Sequence, residues 1–100
     1  MHSLEVHTAF YIDLSIKTKD GPKRIGRFNL GDKRKEAYAL FKNLKGSPDV
    51  DPNDVLYIEF MEIVNGLPVN IDMLTCDLQE LGSNCIMITQ EIFRLSNIRG

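Results

Sequence analysis

The stretch that decides the fold runs Val55-Leu56-Tyr57-Ile58-Glu59-Phe60-Met61-Glu62-Ile63-Val64-Asn65-Gly66-Leu67-Pro68-Val69-Asn70-Ile71-Asp72-Met73-Leu74-Thr75-Cys76-Asp77. Val55 to Val64 alternates, Asn65-Gly66 interrupts, and Val69 to Thr75 alternates again. A period of two marks half-buried strands, and Asn-Gly between such runs calls for a two-residue type I′ hairpin turn. That turn sets Val64 against Leu67 and Ile63 against Pro68, the latter at a non-hydrogen-bonded pair where no proline N–H is needed. Counting outward, Phe60 is expected to face Ile71, Ile58 to face Met73 and Leu56 to face Thr75. Those six form an apolar face. The other face would carry Tyr57, Glu59, Met61 and Ile63 against Leu74, Asp72, Asn70 and Pro68.

The segment that follows changes period. Leu78, Leu81, Cys85, Ile88, Ile92 and Leu95 recur at steps of three and four, the stripe of an amphipathic helix. Asp77-Leu78-Gln79-Glu80 reads as an Asp version of the capping box, with Cys76 and Leu81 placed for a hydrophobic staple. The stripe keeps phase past Gly82, so one helix to about Asn97 is expected. A break at Gly82-Ser83, with Asn84 as a new cap, is the alternative. Ile86 and Phe93 lie about 100° round the helix from the Cys85/Ile92 line.

The earlier part of the chain follows the same plan. Phe10, Ile12, Leu14 and Ile16 alternate with Tyr11, Asp13, Ser15 and Lys17 in a strand from about Val6 to Ile16. Lys19-Asp20-Gly21 signals a three-residue turn, and a second strand runs from about Pro22 to Leu30. In that register Thr18 faces Pro22, Leu14 faces Gly26, Ile12 faces Phe28, Phe10 faces Leu30, and Asp13 meets Arg27 as a cross-strand charge pair. Asp32 is expected to cap a helix that carries Ala37, Leu40, Phe41 and Leu44 on its apolar face. Lys42 and Lys45 suit its last turn and Gly46 its stop. Ser47 to Asp54 is an acidic connector.

The two halves match. Phe10-Tyr11-Ile12-Asp13-Leu14 sits 46 residues before Leu56-Tyr57-Ile58-Glu59-Phe60, and Asp32 falls within a residue of alignment with Asp77. The expected fold is therefore α+β, a single domain over 1–100 with pseudo-repeats at about 8–46 and 54–97. Each copy is a ββα unit. Together they would form a two-layer sandwich, a four-stranded antiparallel sheet with two helices on one face. The strand order does not follow from the sequence. The shape, together with Asp32 to Gly46, Asn65-Gly66-Leu67-Pro68-Val69-Asn70 and Cys76 to Asn97, resembles a family of small uncharacterised proteins from Bacteroidetes bacteria. The resemblance implies a cytoplasmic bacterial protein and brings no activity, cofactor or catalytic residue with it.

Composition narrows the classes further. The chain has 100 residues, 43% hydrophobic and 26% charged, as in ordinary soluble domains. No apolar run is long enough for a membrane span, and Met1 to His7 lacks the pattern of a signal peptide, so a cytoplasmic address is expected. Cys76 and Cys85 read as buried thiols rather than a disulfide. The net charge of −2 conceals an asymmetry. Residues 17–45 hold ten basic side chains against three acids, a net +7, and residues 46–100 hold nine acids against two arginines, a net −7. Such a division suits a polyanion-binding face, two mutually attracting halves, or a solvated face.

No motif in the chain specifies a reaction, and no cofactor, metal or catalytic set is expected. Asp49, Asp51 and Asn53 have the spacing of the first ligands of an EF-hand, but Asp54 stands where glycine is needed and Phe60 where a bidentate Glu is needed. His2, His7, Cys76 and Cys85 do not fall at zinc spacings. Glu59 opposite Asp72 is the one carboxylate pair suited to acid–base work, and an open, hydrated sheet face is its plainer reading. Two binding functions remain. In the first the protein is a non-catalytic interaction or self-associating module, most simply a homodimer. Its contact surface would be the open sheet face, with Tyr11, Ile25, Tyr57, Met61, Ile63 and Leu74, together with the Ile86/Phe93 ridge. In the second the open face binds single-stranded nucleic acid, the tyrosines stacking on bases and Lys17, Lys23, Arg24 and Arg27 meeting phosphates. Asp13, Glu59 and Asp72 on that face favour the first.

Overall fold

A computed structural model describes residues 7–97 of the chain. Six elements follow in the order β1 (Thr8–Thr18), β2 (Gly21–Gly31), α1 (Arg34–Lys42), β3 (Leu56–Val64), β4 (Leu67–Cys76) and α2 (Leu78–Asn97). They make an α+β fold with one four-stranded antiparallel sheet in the order β2-β1-β3-β4. The two hairpins thus meet along β1 and β3, with Ile12 opposite Phe60 and Asp13 opposite Glu59.

Both hairpins turn on two residues, and both then insert one. In the second hairpin Asn65 (φ 50°) and Gly66 (φ 87°) adopt the positive φ of the expected type I′ turn. Val64 faces Leu67 and Ile63 faces Pro68 as expected, but Ile71 is an extra residue opposite the Phe60–Met61 step. This β-bulge moves the rest of β4 by one place. Phe60 faces Asp72, Ile58 faces Leu74, Leu56 faces Cys76, and Glu59 faces Met73. The expected Glu59/Asp72 pair does not form, since a one-residue slip sends every side chain to the other face.

The first hairpin differs from expectation in a compensating way. Its turn is Lys19-Asp20, not three residues, with Thr18 opposite Gly21 and Lys17 opposite Pro22. Ile25 is then the extra residue, and beyond it Leu14 faces Gly26, Asp13 faces Arg27 and Ile12 faces Phe28, as the sequence predicts. Leu30 is a second extra residue, so Phe10 faces Gly31, and the bulged Leu30 is buried. The expected start of β1 at Val6 lies outside the described residues.

One core joins all the elements. Phe10, Ile12, Leu14, Ile58 and Phe60 of the sheet, Ala37, Leu40 and Phe41 of α1, Leu44 just beyond it, and Ile88 of α2 are buried in a single cluster. Phe60 is its centre: its ring lies 5.8 Å from Phe10, 5.4 Å from Phe41 and 5.7 Å from Tyr38. The first helix starts later than expected. Asp32 is not its cap; Lys33 occupies the N-cap position without a side-chain hydrogen bond, because the Leu30 bulge and Gly31 (φ 84°) redirect the chain as it leaves β2. Nor is Gly46 the helix stop. It lies where a Cβ would come within 2.5 Å of the Thr75 carbonyl oxygen, so it lets Ser47 pair with Thr75 at the edge of β4.

The second helix is continuous through Gly82. Its capping box is closed by the Asp77 N–H donating to Glu80 Oε1 at 3.0 Å and the Glu80 N–H to Asp77 Oδ1 at 2.7 Å. Leu81, Cys85 and Ile92 pack against the core as expected, whereas Leu78 is 75% exposed and contributes nothing to it. Asn84, which reads in the sequence as an alternative cap, is fully buried. Its Nδ2 donates to the Lys45 carbonyl at 2.7 Å and its Oδ1 accepts the Lys45 N–H at 2.8 Å. One side chain on α2 therefore fixes the segment that leaves α1. Asn84→Ala is expected to cost about 2 kcal/mol, because both Lys45 groups lose their partners, and to lower the Tm by about 10 °C; thermal unfolding of the purified variant checks this.

Candidate functional site

The sheet face opposite the core is organised around a buried acid. Asp13 lies on the central strand β1, and its side chain is only 6% exposed. Arg27, its cross-strand neighbour on β2, clamps it with two hydrogen bonds, Nε to Oδ1 at 2.6 Å and Nη2 to Oδ2 at 2.9 Å. Arg24 approaches to 3.7 Å. The Arg27 guanidinium also lies 4.8 Å from the ring centre of Tyr11, a cation–π contact. The hydrogen bond to Asp13, more than its charge, raises the Arg27 pKa above its ordinary value.

Glu59 faces Asp13 across the β1–β3 seam. This is the acid pair the face contains, formed between hairpins rather than within one. Partial burial, and then the Asp13 charge, push the Glu59 carboxyl above its ordinary value. Glu59, Tyr57, Met73, Lys17 and Pro22 line a shallow depression of about 270 Å³. The Tyr57 hydroxyl donates to the Asp54 carbonyl at 2.9 Å, and Lys17 Nζ donates to the Pro52 carbonyl at 2.5 Å. The connector therefore closes one end of this face. Its acids act as turn groups: Asp51 Oδ1 accepts the Asn53 N–H at 2.8 Å and Asp54 Oδ2 accepts the Asp51 N–H at 2.6 Å.

The sequence-derived surface divides in two. Tyr11, Tyr57, Met61 and Ile63 share the open face and are half-buried, and Ile25 stands out from its bulge at 53% exposure. Leu74 does not belong with them. The Ile71 bulge places it on the helix side, where it packs against the core. Ile86 and Phe93, 62% and 69% exposed, lie on α2, whose Ile88 packs in the core, and not on the strands that carry the tyrosines. Of the four basic candidates, Lys17, Arg24 and Arg27 have partners within the chain, while Lys23 is exposed opposite Ile16. The Asp13–Glu59 apposition is not legible in the sequence, because it depends on strand order.

Both cysteines are free and partly buried. Burial, with nearby Glu80 and Asp77, pushes the Cys76 thiol up to about 11, which makes it a poor nucleophile. Among the described residues no three His, Cys, Asp or Glu side chains come together as a metal site; His2 lies outside them. Among the same residues no helix is long and apolar enough to cross a membrane. No protein family, curated protein or solved structure matches the chain.

Two stability predictions follow from the Asp13 cluster. Arg27→Ala strips a buried carboxylate of its main partner and is expected to cost about 3 kcal/mol. Arg24→Ala removes a longer, exposed pair and is expected to cost less than about 1 kcal/mol; urea midpoints of the two variants measure the contrast. For Glu59 the sign is opposite to that of an ion-paired acid. A carboxyl with a raised folded-state pKa binds its proton more tightly when folded, so it favours folding at low pH and that contribution disappears as pH rises through the folded pKa. Glu59→Gln, neutral throughout, should exceed the parent in stability at about pH 7, with the gap closing below the ordinary Glu pKa. A gap that does not vary with pH in paired denaturation curves would contradict this assignment.

Proposed function

We propose that the protein is a non-catalytic protein–protein interaction module that self-associates, acting in the cytoplasm. The observation that carries this reading is the exposure of Ile86 and Phe93 on α2, beside an equally exposed Leu78. Large apolar side chains left exposed on a small domain mark contact surfaces. Single-stranded nucleic acid fits the chain less well. A base-stacking platform needs open rings and uncommitted cations, but Arg27 lies over Tyr11, the Tyr57 hydroxyl is held by the connector, and three of the four candidate cations have partners within the chain.

The scaffold is read as a tandem ββα duplication folded into a two-layer sandwich. The spacing of 46 seen in the sequence supports this reading. It relates the turns Lys19-Asp20 and Asn65-Gly66, the prolines Pro22 and Pro68, and the bulged residues Ile25 and Ile71. It also relates Asp13 to Glu59, and these two residues face each other in the β1–β3 register, as a pseudo-twofold axis between the copies would require.

Sedimentation equilibrium tests the self-association. Mass above that of the monomer is expected at protein concentrations up to about 500 μM, within reach of a Kd near 10⁻⁴ M. A monomer throughout that range refutes it. Binding assays with single-stranded RNA and DNA at low salt, where phosphate attraction is strongest, should show no complex. Salt-sensitive binding there would favour the nucleic-acid reading instead.

A further inference from the structure

We infer that the depression over Glu59 takes a guanidinium group from outside the chain, held there as Arg27 is held beside Asp13. The site lies on the open sheet face and does not depend on self-association. The first hairpin shows how such a group is bound. Asp13 on β1 faces Arg27 on β2. The Arg27 guanidinium grips the carboxylate with two hydrogen bonds, at 2.6 and 2.9 Å, and lies 4.8 Å from the ring centre of Tyr11, two residues before the acid. The second hairpin presents the same set with one change. An offset of 46 carries Tyr11 to Tyr57, Asp13 to Glu59 and Arg27 to Met73, and Glu59 on β3 faces Met73 on β4. The acid and the ring are kept, and a thioether stands where the first hairpin has its cation.

Glu59 is half-buried, yet among the described residues its carboxylate has no hydrogen bond or ion pair. Burial and the Asp13 charge hold it above its ordinary pKa. Arg24 and Arg27 are drawn to Asp13 instead. Lys17 lines the same depression, but its Nζ donates to the Pro52 carbonyl. Nor does any cation among the described residues cover the Tyr57 ring, as Arg27 covers that of Tyr11. The tip of Tyr57 is turned to the Asp54 carbonyl, so it is the ring and not the hydroxyl that is offered to a ligand.

These groups define the ligand. The depression, about 270 Å³, lies just below the size of pockets that enclose drug-sized molecules, so it suits one flat group on a short stem. Pro22, Tyr57 and Met73 give it apolar walls, and Glu59 is its one uncommitted charge. A guanidinium is planar, meets a carboxylate with two parallel N–H···O bonds and stacks on an aromatic face. An ammonium lacks that fork, and an anion would meet the Glu59 charge. An ion pair on an open face is weak, so a lone guanidinium is expected to bind with a Kd on the order of 1–10 mM.

The test is an NMR titration of the labelled full chain with propylguanidinium up to about 30 mM, too dilute to denature. Shifts at Tyr57, Glu59 and the Met73 methyl are expected, with a Kd of that order. Propylurea, the uncharged isostere, should bind at least about fivefold more weakly, and Glu59→Gln should weaken propylguanidinium to the level of propylurea. Met73→Arg supplies the cation from within the chain, as Arg27 does for Asp13. It should abolish the binding and raise the urea midpoint above the parent's. Should that variant fail to fold, the Glu59→Gln comparison decides alone. An acetylated, amidated Gly-Arg-Gly peptide identifies the source: tighter binding than propylguanidinium supports an arginine side chain of a partner, and equal binding supports a free guanidino compound. Shifts confined to other residues, equal binding of propylurea, or undiminished binding to the Glu59→Gln variant would each overturn the proposal.

Discussion

The stacking of Phe60 against Phe10 and Phe41 is the contact on which the other elements depend. Phe10 belongs to the first hairpin, Phe60 to the second and Phe41 to the helix between them. A hairpin alone is marginal in water, and each of these has only one apolar face to bury. The aromatic cluster covers the apolar faces of both hairpins at once and docks α1 on the β1–β3 seam. Arg34 extends the arrangement outward, lying 5.9 Å from the Phe10 ring centre and 3.2 Å from Glu62 on β3. Among the described residues, this ion pair joins the basic stretch 17–45 to the acidic stretch 46–100.

Periodicity made the elements legible, and bulges made half of the register illegible. Ala37, Leu40, Phe41, Ile58 and Ile88 are core residues because their spacing said so. Each bulge adds a residue that no local signal announces, since Ile25 and Ile71 suit a regular strand as well as a bulged one. In the first hairpin the turn is one residue shorter than its sequence suggests and the Ile25 bulge restores the offset, so Asp13 meets Arg27 as expected. In the second hairpin the turn is the two residues that Asn65-Gly66 implies, nothing offsets the Ile71 bulge, and Leu74 and Asp72 change face. Asn84 was hidden for a different reason. Its function lies in two hydrogen bonds to Lys45, 39 positions away, and a polar residue inside a helix stripe looks like a cap until its partner is in view.

Both edges of the sheet oppose further strand addition. The β2 edge carries two bulges with Lys23 between them and the turn. The β4 edge has Pro68 near the hairpin tip and is paired by Ser47 at Thr75. These are the devices by which sheets avoid edge-to-edge aggregation, and they leave faces, not edges, as the surfaces through which the molecule can meet a partner. On the open face the central acid is neutralised by Arg27, and the tyrosines are held by a guanidinium and by the connector. That face is largely self-satisfied.

The helix side is not. The +7 of residues 17–45 and the −7 of residues 46–100 invite a reading based on charge, but Arg24 and Arg27 are turned to Asp13 and Arg34 to Glu62. The acids, meanwhile, gather at the connector and the ends of α2. Between those ends α2 turns one side to the core and carries an uncharged flank about 100° round from it. Burial of Leu81, Cys85, Ile88 and Ile92 accounts for the length of α2 on one side. The length of α2, twenty residues to the nine of α1, therefore follows from what it reaches inside the chain: the capping box at Asp77, the core from Leu81 to Ile92, and the Lys45 backbone through the buried Asn84.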